Sequence, residues 1–102
     1  RRKIQNLTID LDSGLISLGN IDISLTPKEL HLIDLLTREV GVFVNQQTLI
    51  RSIWGNYNSE DTHYVRILVS HVRKKLSALN SNCFSIETSA GNGYRFLVSH
   101  TE

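Results

Sequence analysis

Residues 62–79 read THYVRILVSHVRKKLSAL, and their periodicity decides what the rest of the chain has to be. With Val65 set at zero and about 100° added per residue, Leu68, Val69, Val72, Leu76 and Leu79 fall between roughly −60° and +40°. Those positions form the buried face of a helix. His63, Ile67, Ser70 and Lys74 lie nearly opposite, flanked by Arg66 and His71, with Arg73 nearer the boundary. Between Asp61 and Asn80 the cations Arg66, Arg73, Lys74 and Lys75 are opposed by Asp61 alone. A merely solvated face more typically carries Glu and Lys pairs and does not need an exposed isoleucine. In a DNA major groove these residue types have uses. Arg66 and Lys74 can donate to guanine or phosphate, Ser70 and His71 to either, and Ile67 can cover a thymine methyl.

A helix enters a groove only if its other face rests on a scaffold, and the preceding residues supply one. Thr26-Pro27-Lys28-Glu29 places a capping hydroxyl, a proline at the first helical position and a glutamate at the third. A first helix over about 27–39 follows, with Leu30, Ile33 and Leu36 on its buried stripe and Leu32 and Val40 as further candidates. Val42-Phe43-Val44 reads as a short buried connector. Asn45 caps a second helix over about 46–54, which carries Leu49, Ile50, Ile53 and Trp54 and ends at Gly55. Trp54 reads as core. A polar loop, about 55–61, leads to Asp61 or Thr62 as the cap of the third helix, about 62–79.

The flanks are strands. Ile4, Leu7-Ile9-Leu11, Leu15-Ile16-Leu18 and Ile21-Ile23-Leu25 nearly alternate with polar residues and are broken by Asp12-Ser13-Gly14 and Gly19-Asn20. A small antiparallel sheet of three or four strands within about 3–25 results. After the helices, Phe84, Ile86 and Thr88 alternate, Gly91-Asn92-Gly93 turns, and Tyr94, Phe96 and Val98 alternate back, giving a hairpin over about 83–98. The order is α+β: sheet, three helices, hairpin, which is the layout of a winged helix-turn-helix. On the hairpin, Asn92, Arg95 and the backbone amides of Gly91 to Gly93 are candidates for a minor groove or phosphate, and the Tyr94 hydroxyl for a phosphate.

Composition narrows the function classes. With 102 residues, 40% of them hydrophobic, the expectation is one domain spanning 1–102. No unbroken apolar run exceeds three residues, which excludes a membrane-spanning helix. Arg1-Arg2-Lys3 precedes no apolar stretch, which argues against a signal peptide and fits a piece of a longer polypeptide. Cys83 is the only cysteine, which rules out a disulfide framework and suits a reducing cytoplasm. The net charge of +1 conceals a segregation: residues 1–60 hold six basic and seven acidic side chains, and residues 61–102 five basic and three acidic. His31, His63, His71 and His100 stand on separate elements or eight residues apart, so no metal site and no cofactor are expected. No Ser-His-Asp order, paired carboxylates or phosphate loop is present, and the chain is not read as an enzyme.

The sequence resembles the OmpR/PhoB-type DNA-binding domains of two-component response regulators, over nearly the whole chain. The likeness rests on Leu25-Thr26-Pro27-Lys28-Glu29-Leu30, Leu49-Ile50, Trp54-Gly55, Val72-Arg73-Lys74-Lys75-Leu76, and Ile86 and Thr88 followed by Gly91-Asn92-Gly93-Tyr94-Arg95-Phe96. It implies a four-stranded N-terminal sheet, three helices and a C-terminal wing. It also implies sequence-specific binding of double-stranded DNA in transcription regulation, with the third helix in the major groove and the wing toward the minor groove. His63, Arg66, Ile67, Ser70, His71 and Arg73 align with the family's DNA-contacting positions, and Asn56, Tyr57, Asn58, Ser59 and Glu60 with the loop that faces a partner subunit or RNA polymerase. A receiver domain outside this chain and homodimers on direct-repeat half-sites are further implications. The chain departs from the family pattern at Ala90, where many members carry arginine, and at His63, Arg66, Leu68 and Ser70. Its base preference is therefore its own. The rival reading is a winged-helix module that binds protein through Tyr57, Ile67 and the outer helix face.

Overall fold

Thr26 changes the chain from strand to helix by closing a reciprocal pair of hydrogen bonds. Its Oγ1 accepts from the Glu29 amide at 3.3 Å, while Glu29 Oε1 accepts from the Thr26 amide at 2.8 Å. The computed structural model describes residues 1–99, apart from the Ser59 side chain. His100 lies outside the described residues.

Four short strands precede that point: β1 (Arg2–Ile4), β2 (Leu7–Asp10), β3 (Leu15–Leu18) and β4 (Ile21–Ser24), paired antiparallel in chain order. The register sets Ile9 opposite Ile16 and Ile16 opposite Ile23, which gathers the apolar side chains on one face. Leu7, Ile9 and Ile16 are fully buried there. α1 (Pro27–Thr37) and α2 (Gln46–Trp54) follow. The Asn45 side chain accepts from the Thr48 amide at 2.8 Å to start α2, and Gly55 ends it at φ 92° with its N–H on the Arg51 carbonyl. A 3-10 turn (Ser59–Asp61) runs into α3 (Thr62–Ser77), and the hairpin β5 (Phe84–Ser89) and β6 (Gly93–Val98) completes the order. One core joins both sheets to the helices through Leu32 and Leu36, Leu49 and Ile50, Val65, Val69 and Val72, and Ile86 and Phe96. The hairpin packs on α3 through β5 and on α1 through β6.

Several expectations are corrected. α1 stops at Thr37, short of 39, because the chain turns away so that the Gly41 amide reaches the Phe96 carbonyl at 2.8 Å. Val40 and Val42 leave the core as a result and stand 41% and 48% exposed, so Val40 is no part of the buried stripe and the connector is not buried throughout. Val44 instead exchanges backbone hydrogen bonds with Tyr94 at 2.8 and 3.0 Å, adding a bridge to the edge of β6. Gly93 is required beside this bridge: its φ is 105°, and a Cβ would collide with the Val44 carbonyl. α3 ends at Ser77, with Ala78 and Leu79 completing a turn that still buries Leu79. Asp61 gives α3 no side-chain cap; the 3-10 turn, itself capped by Asn58 on the Glu60 amide at 3.1 Å, delivers the chain into the helix. Trp54 is only half-buried, its ring 6.4 Å from that of Tyr64 and 5.5 Å from Lys28 Nζ.

Candidate nucleic-acid interface

The two faces of α3 differ as its periodicity requires. Val65, Leu68, Val69, Val72 and Leu76 are buried, and His63, Arg66, Ile67, Ser70, His71 and Lys74 are exposed, Ile67 at 49%. α3 carries no acidic residue, so its open face is positive. Two contacts hold the helix at its C-terminal half. Lys75 Nζ donates to Glu29 Oε1 at 2.5 Å and to the Ser24 carbonyl at 2.9 Å, which joins α3 to the start of α1. Burial acts to raise the Glu29 pKa, but the hydrogen bonds from Lys75 and from the Thr26 amide outweigh it and hold the carboxyl below its ordinary range. The anchor is thus ionised at neutral pH.

At the other end of α3, His63 Nδ1 lies 2.7 Å from the Glu60 carbonyl. A carbonyl only accepts, so Nδ1 carries the proton and the ring orientation is fixed. The His63 ring also lies 4.0 Å from that of Tyr64, centroid to centroid. Tyr64 is 49% exposed and was missed by the sequence reading. Its position about 100° from Val65 put it outside the buried wedge, and that angle was the available signal.

The wing residues divide, and two expectations are corrected. Tyr94 is only 2% exposed: in β6 it shares the inward face with Phe96, so its ring is core and its hydroxyl has little surface to offer a phosphate. Arg95 points the other way but is engaged. Its guanidinium donates to Glu87 Oε1 at 2.7 Å from Nε and at 2.6 Å from Nη2, to the Gly41 carbonyl at 3.3 Å, and lies 4.4 Å from the Phe43 ring centroid. It therefore locks the α1–α2 connector against the wing, with Glu87 cancelling its charge. Asn92 is exposed at the hairpin tip, its amide on the Ser89 carbonyl and its Nδ2 on Ser89 Oγ, both at 3.1 Å. The Asn92 amide is consequently not free for a phosphate.

Arg73 reaches from α3 to β5. Its Nε and Nη2 donate to the Ile86 carbonyl at 3.2 and 2.8 Å, and Nη2 also to Thr88 Oγ1 at 2.8 Å. Between α3, the start of α2 and the wing lies a cleft of about 530 Å³ that includes Asn45, Gln46, Arg66, Arg73, Thr88 and Ser89. Gln46 and Thr88 were not singled out as site residues, since only the fold brings them beside Arg66. The loop residues Asn56, Tyr57, Asn58 and Glu60 are exposed at the far end of α2. The Tyr57 ring lies 5.9 Å from the Arg51 guanidinium.

His31 Nε2 lies 2.9 Å from Ser52 Oγ and ties α1 to α2. Among the described residues no helix is long and apolar enough to cross a membrane.

Comparison with known proteins gives four consistent likenesses. Residues 20–96 match the family model described as transcriptional regulatory protein, C terminal. The KDP operon transcriptional regulatory protein KdpE of Escherichia coli is 33% identical over 96 residues, which span 94% of this chain and 43% of that protein. The chain thus covers less than half the length of this relative. Among solved structures, the DNA-binding domain of E. coli CadC superposes with a TM-score of 0.81 at 20% identity, covering 95% of this chain and 91% of that one. The DNA-binding domain of Klebsiella pneumoniae RstA, solved in complex with the RstA box, superposes with a TM-score of 0.78 at 25% identity, over 94% and 95% of the two chains.

Proposed function

We propose, from the premise that this chain belongs to the family of transcriptional regulatory protein C-terminal domains, that it binds double-stranded DNA sequence-specifically and regulates transcription. The observation that carries the reading is the open, acid-free face of α3, with Arg66, Ile67, Ser70, His71 and Lys74 exposed while the opposite face is fully buried. In this reading α3 enters a major groove, and the wing, across the cleft lined by Arg66, Thr88 and Ser89, lies over the neighbouring backbone or minor groove. RstA, similar in fold, is seen with its box DNA, which supports the same use here. The reading assigns the chain binding, not catalysis. It extends to a cytoplasmic bacterial regulator in which a receiver domain precedes this unit, residues 1–102 form one winged-helix domain, and two copies pair on direct repeats. The loop of Asn56, Tyr57, Asn58, Ser59 and Glu60 faces a protein partner such as RNA polymerase in this arrangement.

Titration of duplex DNA at two salt concentrations tests the reading. Selection from a random oligonucleotide pool first supplies the site, and two half-sites about one helical turn apart would support pairing. Arg66→Ala and Lys74→Ala should each weaken binding, Arg66→Ala by about 1 to 3 kcal/mol with relaxed preference at one base pair if it reads a base. Affinity should fall steeply with salt, because each phosphate contact releases a counterion. Absence of salt-sensitive DNA binding, with binding of a protein partner that ignores salt, would instead favour a protein-binding module.

A further inference from the structure

Resting on the DNA-binding reading, we infer that Arg73 is a positioning residue: it clamps the wing beside α3 and acts on DNA through the wing's placement. The inner half of the hairpin needs no such help, since Phe84, Ile86 and Phe96 are buried and Val44 bridges Tyr94. Beyond Thr88 β5 leaves the core, and Ala90 to Asn92 project as the exposed tip before Gly93 returns against Val44. Arg73 meets the hairpin at that departure point. Its fork joins the Ile86 carbonyl through Nε and Nη2 and the Thr88 hydroxyl through Nη2. A planar guanidinium makes this two-point attachment rigid, whereas a lysine ammonium on a flexible stem cannot hold both acceptors in one geometry. Arg73 also lines the cleft shared by Arg66, Ser89 and Ala90, so the distance from recognition helix to tip is set where it stands. Arg73 is exposed like Arg66, Ser70 and Lys74, but its Nε and Nη2 are engaged on the protein, so base reading falls to those three neighbours.

The test compares the chain with Arg73→Lys, which keeps the charge and removes the fork, on two duplexes. One is the full selected site; the other is trimmed on the wing side so that only the bases under α3 remain. The unaltered chain should prefer the full duplex by about ten-fold, the worth of one or two phosphate contacts. Arg73→Lys should lose that preference on the full duplex and bind the trimmed one as the unaltered chain does, with the same salt dependence. Equal loss on both duplexes would make Arg73 a direct DNA contact and overturn the inference, as would no loss on either, or no length preference in the unaltered chain. A second measurement needs no DNA. Amide hydrogen exchange at Ser89 to Gly93, normalised to β2 and β3, should quicken about ten-fold in Arg73→Lys if the clamp orders the tip. Unchanged exchange would also overturn the inference. If the chain binds no DNA while exchange quickens, the clamp stands and the DNA-binding reading fails.

Discussion

One oxygen of Glu29 serves two partners, the Thr26 amide and Lys75 Nζ, in a side chain that is almost wholly buried. Glu29→Gln preserves an acceptor for the cap but leaves the half-buried Lys75 ammonium without its counter-charge. The expected loss is about 2 kcal/mol, read as a lower urea midpoint with unchanged slope. Gly93 is a second position where one substitution has a large effect. Gly93→Ala adds a Cβ where the Val44 carbonyl stands and forces a residue with a side chain to φ 105°. A loss of at least about 3 kcal/mol should follow, seen in thermal unfolding, while Gly91→Ala, with open space around its Cβ, should cost less. The sequence marked both glycines as a turn; which one touches the α1–α2 connector was not local information.

The element that matters most, α3, invites a paired prediction. Val69 is fully buried and Ile67 is half exposed, two residues apart on opposite faces. Val69→Ala should destabilise by about 2 kcal/mol through the cavity it leaves. Ile67→Ala should stay within about 0.5 kcal/mol of the unaltered chain in the same melt, yet weaken binding to the selected site. If Ile67→Ala melts early and Val69→Ala does not, the face assignment is reversed. Helical periodicity made this division legible, and the caps Thr26 and Asn45 made the starts of α1 and α2 legible. The connector between them was misread, because three apolar residues in a row announce hydrophobicity without saying what lies beside them. Docking on β6 turned Val42 outward and Val44 into a bridge.

Across the whole molecule, two carboxylates fasten separate parts. Glu29 joins α1 to α3, and Asp34 joins α1 to β1, where Arg2 Nη1 donates to Asp34 Oδ1 at 2.9 Å, to the Asp34 carbonyl at 3.0 Å and to Thr37 Oγ1 at 2.9 Å. Arg38 adds a further bond to Asp34 Oδ2 at 2.9 Å. Burial acts to raise the Asp34 pKa, but the hydrogen bonds from Arg38 and Arg2 prevail and hold it down. A carboxyl with a lower pKa folded than unfolded stabilises the fold above its unfolded value, and that stability is lost as pH falls through the folded one. The urea midpoint should therefore change little near neutrality on account of these two groups and decline as pH drops below about 4. Asp34→Asn should flatten part of that decline; an unchanged acid limb would show that the Arg2 tie contributes nothing to stability.

The sequence by itself determined the element order, the buried face of α3, the turn at Gly91 to Gly93 and the cationic outer surface, because caps, turns and periodicity are written in residues a few positions apart. Only the tertiary structure decided which cations remain available. Arg73, Lys75 and Arg95 look alike in the sequence, yet they end on Ile86 and Thr88, on Glu29, and on Glu87 and Gly41, at separations up to 54 residues. Whether a charge faces solvent or a carbonyl depends on what the fold packs against it, and no local pattern carries that information.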